Sequence, residues 1–280
     1  MGPISSQSVV YSASRWAEAG GHGPRILLVG GTFDPPHRAH VIVAERARAW
    51  WDRLEGQGDA DAGAHVEQGS PDGGATGTAR LVFVPAARSP HKREGPRASD
   101  GDRLDMLRAA LAGVAEAEVS TIELDRGRVG AGEASYWIDT VREFVSAHAG
   151  ARVRFLIGAD QAVAFHRWRE PKEILSLARP IVAPREPWIT PRQLRESLEG
   201  TTAWTSQEIG AWMASMLPMP VERGRATDIR GAIMGRALRD PALEDLDPAV
   251  RAIIEARGLY RGSTAEDAPR SHDGSRREGE

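Results

Sequence analysis

Two histidines three residues apart, His37 and His40, follow the pair Gly30-Gly31 and precede an apolar pattern of helical period. A spacing of three puts both imidazoles on one face of a first helical turn. Before them, residues 26–29 form a short apolar run bounded by glycine, which predicts a buried strand of a parallel sheet. After them, Val43, Ala47, Trp50 and Leu54 recur as one face of a helix. Asp34 reads as the cap of that helix, with Pro35 and Pro36 where no amide hydrogens are lost. Gly30 and Gly31 let the backbone turn and approach a ligand with no Cβ in the way. A strand, a glycine turn and a helix start carrying two imidazoles make a phosphate site: free N–H groups, a positive dipole end and two further donors. Two other phosphate motifs are excluded. No G-x-x-x-x-G-K-[ST] occurs, and GGTFDPPHRAH lacks the third glycine of a dinucleotide fingerprint.

The elements that must position these groups alternate between strand and helix. Strands are predicted at 80–85, 119–124, 153–157 and 179–184, with a last one near 218–222. Helices are predicted at 99–113, from Ser135 to about 149, around Phe165, Trp168, Ile174 and Leu177, from Thr227, and at 248–257 between an Asp247 cap and Gly258. Residues 186–217 suggest one or two short helices. The pattern implies a single α/β domain over residues 25–261, a Rossmann-like doubly wound parallel sheet with right-handed crossovers. Residues 1–24, an insertion at 56–78 and the tail 262–280 are apolar-poor and read as disordered. Ligands of such sheets bind beyond the carboxyl ends of the strands. The segments just past the strands are 30–40, 86–92, Asp160 and 225–230, and the unusual polar residues cluster in them: His37, His40, His91, Lys92, Asp160, Thr227 and Arg230.

Composition narrows the function classes. The net charge of −3 gives no electrostatic case for nucleic acid, and no apolar run approaches membrane-spanning length. The absence of cysteine excludes disulfides and thiolate metal sites. The N-terminus lacks an apolar signal core, so a cytoplasmic protein is expected. Lys92 and Lys172 are the only lysines in an arginine-rich chain, which marks Lys92 as a place where a compact ammonium is wanted.

The run GGTFDPPHRAH resembles the HxGH nucleotidyltransferase superfamily, and within it the GGTFDPxHxGH form of bacterial nicotinate-nucleotide adenylyltransferases; Ala39 stands where the family has glycine. SPHKRE is similar to the family's PPHK run, and IGAD at 157–160 to its G-x-D. SYW at 135–137 resembles its S-Y-T, and RATDIR at 225–230 its I-S-S/A-T-x-I-R, with Gly224 and Arg225 replacing isoleucine and serine. The closing GLY at 258–260 also matches. The resemblance implies an ATP site of Gly30, Gly31, Thr32, Phe33, His37, His40, Gly158, Asp160, Thr227, Ile229 and Arg230. It implies that Trp168 stacks on a pyridine ring and that backbone amides near Trp137 and Arg169 grip a carboxylate, with Tyr136 and Lys92 completing a nicotinate mononucleotide site. His37, His40, Lys92 and Arg230 would carry the chemistry, with Mg²⁺ arriving on ATP and no protein-held metal.

The implied reaction is adenylyl transfer from ATP to nicotinate mononucleotide, giving deamido-NAD and pyrophosphate. No side-chain nucleophile is required, so the protein's work is positioning and charge stabilisation. Nicotinamide mononucleotide as substrate, a different nucleotidyl transfer, or nucleotide binding without turnover stay open as alternatives. Phosphopantetheine adenylyltransferases lack the G-x-D…Trp pair, and the R-T-x-G-I-S-T-T run of cytidylyltransferases is absent here.

Overall fold

The computed structural model describes residues 23–61, 77–88, 95–129, 135–235, 237 and 239–261. Strand β1 (Arg25–Gly31) lies in the middle of a five-stranded sheet and is followed by helix α1 (Arg38–Asp61). The chain then forms β2 (Arg80–Pro85), α2 (Asp100–Leu111), β3 (Ala117–Val119), α3 (Ile122–Val129) and α4 (Trp137–Ala147). It returns through β4 (Arg152–Gly158), α5 (Ala159–Ala164), α6 (Pro171–Leu177) and β5 (Arg179–Ala183). The remaining helices are α7 (Pro191–Gly200), α8 (Ser206–Ala214), α9 (Ala226–Met234) and α10 (Pro248–Arg257). The strand order is β3-β2-β1-β4-β5 and every pairing is parallel. The direction of winding therefore reverses between β1 and β4, which places a crevice at their carboxyl ends.

Alternation along β1 explains why both faces are covered. Ile26 and Leu28 join one core with Phe155, Ile157, Phe165 and Trp212; Leu27 and Val29 join the other with Ala44, Ala47, Trp51 and Phe83. A third cluster, of Met106, Ile229, Val250, Ile254 and Tyr260, docks α9 and α10 on α2. The two caps read from sequence around α10 hold: Asp247 accepts from the amide of Ala249, and Gly258 takes the left-handed conformation at φ 63°.

Several boundaries differ from the expectation. The strand predicted at 119–124 ends at Val119, and Ile122 opens α3; Thr121 O accepts from the Asp125 amide, and Glu123 and Leu124 are buried side by side, as adjacent residues of a strand facing one core are not. The strand expected near 218–222 does not form, because Pro218 and Pro220 remove ladder donors. The pairing with β5 comes earlier: the Val182 amide donates to Ser215 O at 2.8 Å and the Leu217 amide to Val182 O at 2.9 Å. The helix expected across Phe165–Leu177 breaks at Trp168, which is extended (ψ 156°), and restarts as α6 at Pro171 after Glu170 at φ 51°. Helix α4 begins after Tyr136 with no side-chain cap, so Ser135 is not its cap. Helix α1 continues to Asp61, into the expected insertion 56–78. Residues 62–76, the lead-in 1–22 and the tail 262–280 lie outside the described residues.

Candidate functional site

The two glycines that end β1 are required by close approach. A Cβ at Gly30 would sit 2.8 Å from the Trp137 ring, and one at Gly31 would sit 2.9 Å from the Phe33 ring. Phe33 is itself buried, at φ 50°, and meets His40 edge-on with ring centroids 5.0 Å apart. His37 and His40 then stack at 3.8 Å and 30°. The His37 amide donates to His40 Nδ1 at 3.2 Å. A backbone N–H can only donate, so Nδ1 is the acceptor and the neutral His40 ring carries its proton on Nε2. His37 is 6% exposed. Burial, helped by the charge of Arg185, pushes its imidazole down to about 4, so His37 is neutral at pH 7.

Asp34 is not the cap of α1, which begins at Arg38. Its carboxylate instead accepts from the amides of Arg97 (2.8 Å) and Ala98 (3.1 Å) and from the Tyr260 hydroxyl (2.8 Å). Burial raises the Tyr260 phenol above its ordinary range, and the Asp34 charge adds to the shift. Arg230 Nη1 donates to Asp34 O at 2.5 Å, and Arg230 Nη2 lies 3.5 Å from Thr227 Oγ1. This ties α9 to the loop ahead of the histidines. Ile229, beside them, is fully buried in the α9–α10 core, and its amide donates to Arg225 O at 3.1 Å within the helix. Gly224 precedes α9 at φ 123°; a Cβ there would lie 3.1 Å from His37 Nδ1 and 3.4 Å from Ala39 Cβ. The Ala39 methyl is thus covered by a residue without a side chain, and the two departures from the motif meet.

On the other side of the crevice, a Cβ at Gly158 would fall 2.5 Å from Asp160 Oδ1, so the carboxylate folds back over the glycine. Asp160 Oδ2 accepts from Gln161 Nε2 at 3.3 Å, and Oδ1 has no hydrogen-bond partner among the described residues. Trp168 packs on Phe165 at 4.7 Å and 35°, and Phe165 meets Trp212 of α8 at 5.2 Å. Residues 186–217 therefore stand behind Trp168. The Arg169 guanidinium lies over the Tyr136 ring at 4.7 Å, with Glu170 3.7 Å away. Trp137, the first residue of α4, packs against Gly30 and Phe155. Lys92 and His91 lie outside the described residues.

Sequence reasoning missed three supports. Arg103 is 0% exposed and donates through Nη1 to Thr32 O and Ala86 O, both at 2.8 Å, joining the turns after β1 and β2. Glu123 is buried and accepts from Thr140 Oγ1 at 2.9 Å, and Arg126 reaches Ser135 Oγ (3.4 Å) and Thr140 Oγ1 (3.3 Å). Burial pushes the Glu123 carboxyl up. This network fixes the 135–137 segment. The i, i+3 pair Glu123–Arg126 was its one sequence signal, hidden by reading 119–124 as a strand. The third is Arg185, after β5, 3.9 Å from Asp160.

The arrangement suits anion binding at the head of α1, with imidazole and guanidinium donors meeting there and the part-exposed carboxylate of Asp160 across the crevice. Comparison with known proteins agrees. The cytidylyltransferase-like family model matches residues 28–54 and 72–230. A probable nicotinate-nucleotide adenylyltransferase of Desulfitobacterium hafniense (strain Y51) is 30% identical over 85% of this chain and 96% of its own length. One from Chromobacterium violaceum is 31% identical over 85% and 99%. Among solved structures, the nicotinic acid mononucleotide adenylyltransferase of Plasmodium falciparum complexed with NaAD has a TM-score of 0.55 at 13% identity, covering 85% of this chain and 97% of that one. The last likeness concerns the fold alone.

Proposed function

We propose, from the premise that this chain belongs to the cytidylyltransferase-like family and to its nicotinate-nucleotide adenylyltransferase branch, that it joins ATP and nicotinate mononucleotide into deamido-NAD with release of pyrophosphate. The observation that carries the reading is the stacked pair His37 and His40 at the head of α1, beside the crevice where the winding of the sheet reverses. In the reaction a phosphate oxygen of the mononucleotide attacks the α-phosphorus of ATP. The new O–P bond forms as the bond to the bridging oxygen of the pyrophosphate breaks, and no protein group is consumed.

This chain's residues would work by position. His40 Nε2–H donates to the phosphate whose charge is reorganised, and the neutral His37 stacks behind it. Arg230, preset by Asp34 and Thr227, would neutralise the triphosphate, as would Lys92. Asp160, its side chain 31% exposed at the crevice, would accept a ribose hydroxyl. Trp168 would stack on the pyridine, held from behind by Phe165 and Trp212. Nucleotidyl transfer in general employs a divalent cation beside the phosphates. Asp34 spends its carboxylate on protein donors, so the residues fit a Mg²⁺ ligated mainly by phosphate oxygens and water, where it would neutralise charge.

The test is pyrophosphate release on purified protein with ATP and each mononucleotide. Two backbone N–H donors satisfy a carboxylate, whereas an amide opposes one of them with its own NH₂. An unpaired buried donor costs about 1–3 kcal/mol, so kcat/KM should favour the acid by at least about tenfold. Equal use of both, or preference for the amide, removes the acid-specific reading; no release with either removes the transferase reading.

A further inference from the structure

Four arginines outside every motif gather at the amino ends of the central strands, the end of the sheet opposite the crevice. The register sets Arg25 beside Arg152 and Arg154 beside Arg179. Leu27 pairs with Arg154 as well, so alternation puts all four side chains on the face that Leu27 gives to the core under α1. Helix α1 answers with two carboxylates. Asp52 pairs with Arg25 at 3.1 Å, and Glu55 pairs with Arg152. Arg154 makes no ion pair among the described residues. Its guanidinium lies over the rings of Trp51 (4.9 Å) and Trp50 (5.9 Å), an attraction that needs no oxygen acceptor. Burial, with the charges of Arg179 and Arg152, pushes it down to about 10, so it stays charged at neutral pH. Glu55 draws on Arg154 and Arg179 from a distance while already accepting from Arg152 and from Trp51 Nε1. Arg154 and Arg179 are half-buried, so both still reach solvent.

We propose that this cluster is a second anion site, taking a compact phosphate-type oxyanion against Arg154 and Arg179 at the amino ends of β4 and β5. The proposal goes beyond the adenylyltransferase reading and does not rest on it, since the crevice lies at the other end of the same strands. Like charges set side by side on neighbouring strands cost stability. A multivalent anion between the two guanidinium groups turns that repulsion into attraction, and half-burial strengthens the attraction over what water would allow. The forked N–H edges of arginine match the oxygens of a phosphate, which a halide lacks. An anion held there also ties β5, at the edge of the sheet, to β4.

The test must separate this site from the crevice, which attracts phosphate itself. The probe is inorganic phosphate, titrated against the melting temperature, with sodium chloride at matched ionic strength as the reference. Arg230→Gln protein, whose crevice has lost a cation, serves as the background. Phosphate should still raise its melting temperature beyond what chloride does. Adding Arg154→Gln should shift the phosphate concentration needed for the same rise upward by about tenfold or more, the worth of one charge-assisted contact. Arg154→Lys, which keeps the charge and loses the fork, should recover part of the shift. Arg179→Gln carries the same measurement should the Arg154→Gln variant fail to fold. A phosphate response left intact by Arg154→Gln overturns the proposal, even if the variant melts lower throughout, because the arginine then only packs on its tryptophans. An equal rise with chloride overturns it as general screening. Loss of the whole response in Arg230→Gln alone overturns it too, since the anion would then sit only in the crevice.

Discussion

Acid should loosen this protein through His37, and the size of the effect can be worked out. The imidazole is held at about 4 in the fold, against an ordinary 6.5. Between those values the unfolded chain binds a proton that the folded chain refuses. Stability therefore falls as pH drops from 6.5 toward 4, and is fully present above 6.5. Single-site linkage over that gap gives a loss of about 2 kcal/mol between pH 7 and pH 5, and about 3 kcal/mol by pH 4. Other groups titrate in the same range, so the measurement is a difference. Urea unfolding of wild type and of His37→Asn, at pH 7 and at pH 5, isolates the one imidazole. Wild type should lose about 2 kcal/mol more than the variant over that interval. If the two lose the same amount, His37 is not held neutral by its surroundings, and the account of a buried uncharged imidazole against the phosphates is wrong.

His40→Ala should lower kcat by on the order of a hundredfold with the melting temperature nearly unchanged, since it removes one preorganised donor; steady-state rates with thermal melts check both halves. Asp34→Ala strips the acceptor from two amides and the Tyr260 hydroxyl, and should cost about 3–5 kcal/mol in urea unfolding. Arg169→Ala removes a cation from the Tyr136 ring and should change the acid-to-amide ratio of kcat/KM by no more than about fivefold, the worth of an exposed cation–π contact.

Strands β1, β2, β4 and β5 were legible because buried parallel strands read as short apolar runs, and the histidine spacing marked the head of α1. What sequence could not supply was long-range pairing. Asp34 looked like a local cap because an aspartate before prolines so often is one; its partners Arg97 and Tyr260 come from elsewhere in the chain. Nothing in the sequence singles out Arg103; only in the fold do the carbonyls of Thr32 and Ala86, in the turns after β1 and β2, close on its guanidinium. Glu123 lies in the stretch 119–124 expected as a strand, and the buried neighbours Glu123 and Leu124 mark it as helix instead. Ala39 and Gly224 each read as a flaw in its motif. They lie 185 positions apart, yet the structure makes the glycine's missing side chain the room beside the alanine's methyl.

The bond from Tyr260 to Asp34 spans 226 residues, and that from Arg230 spans 196. The turn after β1 is therefore finished by residues that follow it by 196 and 226 positions. Until residue 260 emerges, a chain with β1 already paired holds a buried carboxylate short of its phenol and its α9 tie. Contacts of such separation close slowly. Order in the loop ahead of the histidines is thus a late event of folding, and a protein clipped before Tyr260 should keep its sheet while losing the register of the turn after β1.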